Sequence, residues 1–340
     1  MPESPELSDG LLITGATGFL GGAVVRALLR RGVPPARMRI VVRDLARAAA
    51  AGLPAASLVR GDLGDAAAER ELAAAATGVG AVLHCAGSLK AWGCSGYREV
   101  NVGGTERLLR AVGAASPGAH VVFVSSLAAA GPSIDGTGSA APPSACRPVS
   151  AYGASKRDAE RIVAATAHWT IVRPPVVYGP GDAATRLLFR QANAPLATVP
   201  PNTQPLSVIH VDDVVDALLA AVVRRPHGAV LPLDGPERTD THAFVRAIAA
   251  ACGRRARLVR IPLAIAAAAA VVSDGFARMT GTASFFNRDK VRELRADGWV
   301  ADGAAARALL GFAPRVGLHE GLARVAVAEG FVRGSTSATA

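Results

Sequence analysis

Lysine is nearly absent from this chain: only Lys90, Lys156 and Lys290 stand among its 37 basic residues, and the rest are arginine. The formal charge is +10. In a chain this rich in arginine and alanine that excess reads as genome composition and says little about partners. Aromatic residues make up 4%, and the arginines are spread along the chain without interleaved aromatics, which argues against a nucleic-acid partner. The four cysteines (Cys85, Cys94, Cys146, Cys252) form no Cys-x-x-Cys pair, and the seven histidines have no ligand spacing. No metal site is therefore expected, and reduced thiols in a cytoplasmic protein are. Met1–Gly10 is acidic and polar, without the basic and apolar regions of a secretion signal. No apolar run reaches the ~18 residues of a spanning helix. The nearest is Pro262–Ser273, preceded by Arg254, Arg255, Arg257 and Arg260. Its length favours a buried helix, and a patch in weak peripheral contact with a membrane is the alternative. Half of the 340 residues are apolar and 19% are charged, which excludes disorder and allows two domains or one large α/β unit with an appendage.

Apolar strand-like runs alternate with helical stretches through the first half: Leu11–Thr14, Arg39–Val42, Ser57–Arg60, Ala81–His84 and His120–Ser125, with helices at Gly21–Arg31, Ala66–Ala76 and Tyr97–Ala115. Short, continuously apolar strands between helices predict a parallel sheet covered on both faces, and hence a doubly wound α/β fold. A loop rich in Gly, Pro and Ser runs from Gly131 to Ser150, followed by a helix from about Tyr152 and a strand at Trp169–Val172. Further on, Pro195–Pro205 reads as a loop, and Asp212–Arg225 and Thr241–Cys252 as helices.

The first strand runs into Thr14-Gly15-Ala16-Thr17-Gly18-Phe19-Leu20-Gly21-Gly22. Glycines at this spacing let the backbone approach a pyrophosphate, and the helix that follows offers its free N–H groups and positive dipole end. The position between strand and helix is what that motif needs. The second strand ends at Arg43-Asp44. An acid there suits the ribose 2′-hydroxyl of NAD, whereas Arg43 suits the 2′-phosphate of NADP, so NADP is expected, with NAD through Asp44 as the alternative. Asp62, in Gly61-Asp62-Leu63 after the third strand, could accept from the adenine amino group or cap the helix at Ala66.

Tyr152 and Lys156 are spaced i, i+4, on one helix face. An ammonium beside a phenol favours the phenolate, so such a tyrosine can exchange a proton with a substrate oxygen near neutral pH. Ser125-Ser126 closes the strand at 120–125, at the sheet edge where ligands bind in this architecture.

These motifs, with His84-Cys85-Ala86-Gly87, Tyr97–Thr105, Arg173–Asp182 and Ile209–Asp213, make nearly the whole chain resemble an extended short-chain dehydrogenase/reductase of the NAD(P)-dependent epimerase/dehydratase group, nearest to its 3β-hydroxysteroid dehydrogenase-like and dihydroflavonol-reductase-like branch. The resemblance implies that 8–175 is mainly a Rossmann domain and 176–333 mainly a smaller C-terminal α/β substrate-binding lobe, while the small-residue tail at 334–340 is expected to be disordered. It implies Tyr152 as general acid/base, Ser126 (five before Gly131) as the catalytic serine, Lys156 lowering the tyrosine's pKa and holding the nicotinamide ribose, and Asn101 supporting the proton relay. It adds Gly15, Thr17, Gly18, Phe19, Leu20, Gly21, Leu63, Ala86, Gly87, Pro174 and Val177 as cofactor neighbours, and hydride transfer to or from a carbonyl or carbinol carbon as the reaction. Sugar-nucleotide members of the group carry Asn where Arg173-Pro174-Pro175-Val176 has Val. An apolar substrate is therefore expected: a sterol, polyketide, flavonoid-like ring or β-keto acyl chain. A nucleotide-sugar epimerase or dehydratase with bound NAD is the first alternative, and a non-catalytic dinucleotide sensor the second. A homodimer is compatible with this reading. His84 and His210 are expected to pack rather than react, and Asp212-Asp213 to cap the helix they open.

Overall fold

A computed structural model describes residues 9–89, 93–280 and 286–332. The expected tail at 334–340 lies outside the described residues. Among the described residues there are twelve strands: β1 Leu11–Thr14, β2 Met38–Val42, β3 Leu58–Arg60, β4 Ala81–His84, β5 His120–Val124, β6 Trp169–Arg173, β7 Val176–Tyr178, β8 Leu196–Val199, β9 Pro205–His210, β10 Ala229–Pro232, β11 Arg238–Asp240 and β12 Arg257–Arg260. Seven form one parallel sheet in the order β3-β2-β1-β4-β5-β6-β10. The order reverses between β1 and β4, and that crevice is where such folds bind ligands. β1, β4 and β5 are buried at every position, because helices cover both faces.

The sheet's two faces close separate apolar clusters. One holds Leu11, Ile13, Val24, Leu28, Ile40 and Leu83 with Val214, Leu218 and Val222 of the Val211–Arg224 helix. The other holds Leu12, Val82, Leu108, Val121, Phe123 and Ile171. From beyond residue 175, β10 joins the edge of the large sheet and the Val211–Arg224 helix packs on its face.

The rest of the C-terminal half carries its own sheet, β11-β9-β7, over Tyr178, Phe189, Phe244, Ile248, Leu322 and Val325. A small parallel pair, β8 with β12, corrects the expected loop at Pro195–Pro205. β8 alternates exposed and buried residues, but its partner lies some sixty residues on, and the flanking prolines dominate the local signal.

The second correction concerns Pro262–Ser273. A helix spans Leu263–Thr280, but it is not buried: Ile265 is 58% exposed, Val272 72% and Met279 87%, and among its described side chains only Ala270 reaches the core. No helix among the described residues is long and apolar enough to cross a membrane.

Candidate active site

β1 turns at Gly15, whose φ of +75° only glycine adopts freely, and a side chain there would stand 2.6 Å from the Ala86 N. A Cβ on Gly21 would collide with the Gly15 carbonyl. Ala16, Thr17 and Gly18 follow, and the Phe19–Arg30 helix opens at Gly18 with no side-chain cap. Its first N–H groups at Phe19, Leu20 and Gly21 are left to face an anion. This cradle fits a dinucleotide pyrophosphate.

At the neighbouring strand ends the carboxylates have local duties. Asp44 caps the Leu45–Ala50 helix by accepting from Arg47 N at 3.0 Å. Arg43 is exposed, with no hydrogen-bond or carboxylate partner among the described residues. Asp62 accepts from Gly64 N at 2.8 Å, and it is Asp65, not Asp62, that caps the turn at Ala66 by accepting from Ala67 N. The Leu63 carbonyl is held by Arg107.

Beyond β4 a buried chain of hydrogen bonds fixes the Ala86-Gly87 backbone. Thr105 Oγ1 spends its only proton on the Asn101 carbonyl at 2.7 Å. Its 2.9 Å contact with His84 must therefore be donated by Nε2–H, which leaves Nδ1 to accept from Thr14 at 2.7 Å. Thr14 Oγ1 in turn accepts from Ala86 N at 3.2 Å. The neutral ring agrees with burial, which pulls His84 down to about 3, Lys156 adding to the effect. Asn101 sits in a π-helical turn, Arg98–Gly103, inside the helix the sequence predicted as regular. Its Oδ1 accepts from Ser88 N at 2.7 Å, and its Nδ2 donates to Ser155 Oγ at 2.9 Å. A Cβ on Gly87 would stand 3.3 Å from Asn101 Oδ1 and 3.5 Å from Lys156 Nζ, so Gly87, Asn101 and Lys156 meet.

The two serines after β5 part ways. Ser125 is buried and donates to Glu160 Oε1 at 2.5 Å. Ser126 caps the Leu127–Ala130 helix by accepting from Ala128 N at 3.2 Å, and its hydroxyl neighbours the Tyr152 phenol. The Ala151–Val163 helix carries Tyr152 and Lys156, and Gly153 presses on the Ala128 backbone, where a side chain would clash. That close approach brings Tyr152 to Ser126. Burial, the largest cause, raises the Tyr152 phenol above its ordinary value; the Ser126 hydrogen bond opposes, and Glu293 and Tyr97 add to the rise. This differs from the expected lowering by Lys156. The Lys156 ammonium donates to the Val124 carbonyl at 2.6 Å and lies 4.4 Å above the Phe123 ring. Burial pulls it down to about 8, against Glu160 and Cys85.

Arg173 and Glu160 are both fully buried; the sequence marked Arg173 only as the first residue of a motif, and Glu160 not at all. Arg173 forks onto both Glu160 oxygens at 2.8 and 2.7 Å and donates to the carbonyls of Ser139 and Ala141. The pair thereby ties the 131–150 loop to the helix bearing Tyr152. Pro174 accepts from Leu127 N at 2.9 Å, and Val177 packs on the core beside β9. His210, not an aspartate, caps the Val211–Arg224 helix; Asp213 instead accepts from Arg315 N and Val316 N, both at 3.0 Å. Asp289, also missed, accepts from Ala151 N at 2.7 Å and Tyr152 N at 3.0 Å. No signal near residue 289 could have shown that contact.

The sequence model of the NAD dependent epimerase/dehydratase family matches residues 11–231. A ceramide reductase of Caulobacter vibrioides is 37% identical over 298 residues, 86% of each chain. A 2-alkyl-3-oxoalkanoate reductase of Stenotrophomonas maltophilia is 28% identical over 213 residues, 60% of this chain and 62% of that one. The solved structure of MoeE5 in complex with UDP-glucose and NAD is 26% identical, with a TM-score of 0.70 over 94% of this chain and 98% of that one. A seven-stranded doubly wound sheet, a glycine cradle and a tyrosine-lysine helix thus coincide with a family match over most of the chain: it belongs to the NAD-dependent epimerase/dehydratase family of extended short-chain dehydrogenases/reductases, enzymes of the oxidoreductase type.

Proposed function

We propose that this chain is an NADPH-dependent ketone reductase acting on a lipid whose two hydrocarbon chains diverge at the carbon beside the reacting carbonyl. The observation that carries the reading is the grouping of Ser126, at the end of β5, with Tyr152 and a buried Lys156 that donates to the Val124 carbonyl of the same strand. The cofactor supplies the hydride. Ser126 and Tyr152 hold the carbonyl oxygen, and Tyr152 gives it a proton as charge develops. Lys156 holds the nicotinamide ribose near Gly87 and Asn101 supports the proton relay, while Gly15 to Gly21, Asp62, Leu63, Ala86, Pro174 and Val177 line the cofactor. Arg43, left free by the capping role of Asp44, supports NADP over NAD through its fit to a 2′-phosphate.

Ceramides and 2-alkyl-3-oxoalkanoates share two chains meeting next to an oxygen-bearing carbon, so the names of the two relatives support the substrate class. Val176 supports it further, since it cannot hydrogen-bond a sugar nucleotide. Such a substrate resides in a membrane. The exposed apolar residues of the Leu263–Thr280 helix, with exposed Arg254, Arg255, Arg257 and Arg260 just before it, suit an anionic bilayer surface, each arginine contributing about 1 kcal/mol. No carboxylate among the described residues pairs with these four arginines.

The purified protein, given NADPH and a 2-alkyl-3-oxo fatty acid or a 3-oxo ceramide, is expected to oxidise one NADPH per carbonyl reduced. Retained NAD with interconversion of UDP-sugars and no net cofactor turnover would favour the epimerase reading instead. Flotation with phosphatidylglycerol vesicles but not phosphatidylcholine vesicles is expected, and its loss in Val272→Glu would support the membrane face.

A further inference from the structure

The first turn of the catalytic helix is completed from the other half of the molecule. Ser150 Oγ accepts from Gly153 N at 3.0 Å, which leaves the N–H groups of Ala151 and Tyr152 without partners in their own helix. Asp289 takes both, one on each carboxylate oxygen. It stands on the short Arg288–Leu294 helix, capped by Asn287 and anchored at its far end by Gln204, which donates to the Leu294 carbonyl at 2.8 Å. Arg292 lies 3.4 Å from Asp289. Glu293, one turn beyond Asp289 on the same face, is paired with Lys290 at 2.8 Å and acts on the Tyr152 phenol. The exposed Leu263–Thr280 helix packs on this same element. An open groove of about 460 Å³, lined by Ile134, Val149, Arg292 and Arg295 among others, runs along its outer side.

We propose that Asp289 is a positioning residue for the reaction: its carboxylate holds the first two backbone N–H groups of the catalytic helix, so the C-terminal lobe itself sets where Tyr152 stands. The inference rests on the reading of Tyr152 as proton donor. A carboxylate at a helix N-terminus is favoured by the dipole as well as by the two hydrogen bonds. Its special feature is origin. The lobe bearing the apolar helix and the groove reaches the proton donor's backbone through one side chain, so a lobe displaced from its place displaces Tyr152 too.

The test is a comparison of Asp289→Asn, Asp289→Ala and Tyr152→Phe with the wild-type enzyme. Asparagine keeps the size but can accept only one of the two hydrogen bonds. The turnover number per NADPH-binding site is expected to fall about tenfold in Asp289→Asn and further in Asp289→Ala, as for a catalytic group misplaced by a fraction of an ångström. The Kd for NADPH should stay within about twofold, and amide exchange at Ala151 and Tyr152 should quicken. Turnover per site unchanged in Asp289→Asn overturns the inference, as does a loss matched by an equal loss of NADPH-binding sites. If Asp289→Ala does not fold, Asp289→Asn alone decides. Full activity in Tyr152→Phe would overturn the proton-donor reading instead, whereas an inactive Tyr152→Phe beside a fully active Asp289→Asn overturns this inference alone.

Discussion

Single side chains near the cofactor cradle are distinguished by what their neighbours leave free. Ser125 and Ser126 are chemically identical, but Glu160 claims the first and Tyr152 meets the second. Arg43 and Asp44 are adjacent, but the aspartate is spent on a helix cap. Arg43→Asp should therefore raise the KM for NADPH by roughly 10- to 100-fold, the worth of a charge-assisted hydrogen bond to phosphate, with little change for NADH. Steady-state kinetics with both cofactors read this directly, and equal effects on both would remove Arg43 from the 2′-phosphate. The residue types were legible in sequence because the motifs are local: a turn, a strand end, an i, i+4 pair. The division of labour between adjacent residues was not, since it depends on partners such as Glu160 that the fold supplies.

Elements carry the next level, and here the buried Arg173–Glu160 pair matters most. It joins β6, the catalytic helix and the 131–150 loop through the carbonyls of Ser139 and Ala141. Removing one partner leaves an uncompensated buried charge, at a cost of about 3–5 kcal/mol. Glu160→Gln is expected to lower the unfolding midpoint in urea accordingly and to loosen the 131–150 loop to proteolysis; a shift below about 1 kcal/mol would contradict the structural role given to the pair. Elements with strong local periodicity, β1, β4, β5 and the helix at Ala151–Val163, were legible in advance. β8 was missed because its pairing with β12 is remote. The Leu263–Thr280 helix was misjudged because hydropathy and length report that a segment is apolar, and nothing in them says whether another element covers it.

At the scale of the whole molecule, two buried neutral histidines make folding sensitive to acid. Burial is the main cause that pulls His84 down to about 3 and His120 down to about 4, both from 6.5. Between those values and 6.5 the unfolded chain binds protons that the folded chain refuses. Their contribution is therefore complete above pH 6.5 and is lost as the pH falls toward 4 and then 3. Chemical denaturation followed from pH 7 to pH 3.5 should show this decline, and His84→Asn or His120→Asn should flatten it; an unchanged slope in both would contradict it. The parallel sheet and its cofactor crevice were foreseeable from strand–helix alternation. The joining of the two halves, by β10, the Val211–Arg224 helix and Asp289, was not, because each contact spans tens to more than a hundred residues.

The central claim is that Tyr152 protonates a lipid carbonyl as it accepts the nicotinamide hydride. Its most direct test is to follow deuterium from C4-deuterated NADPH into a 3-oxo ceramide or 2-alkyl-3-oxo fatty acid by mass spectrometry, with wild-type enzyme and Tyr152→Phe. The account predicts one deuterium at the new carbinol carbon with the wild type and a rate about a hundred- to ten-thousand-fold lower in the variant. Deuterium transfer at an undiminished rate in Tyr152→Phe, or no transfer to either lipid alongside interconversion of UDP-sugars, would contradict it.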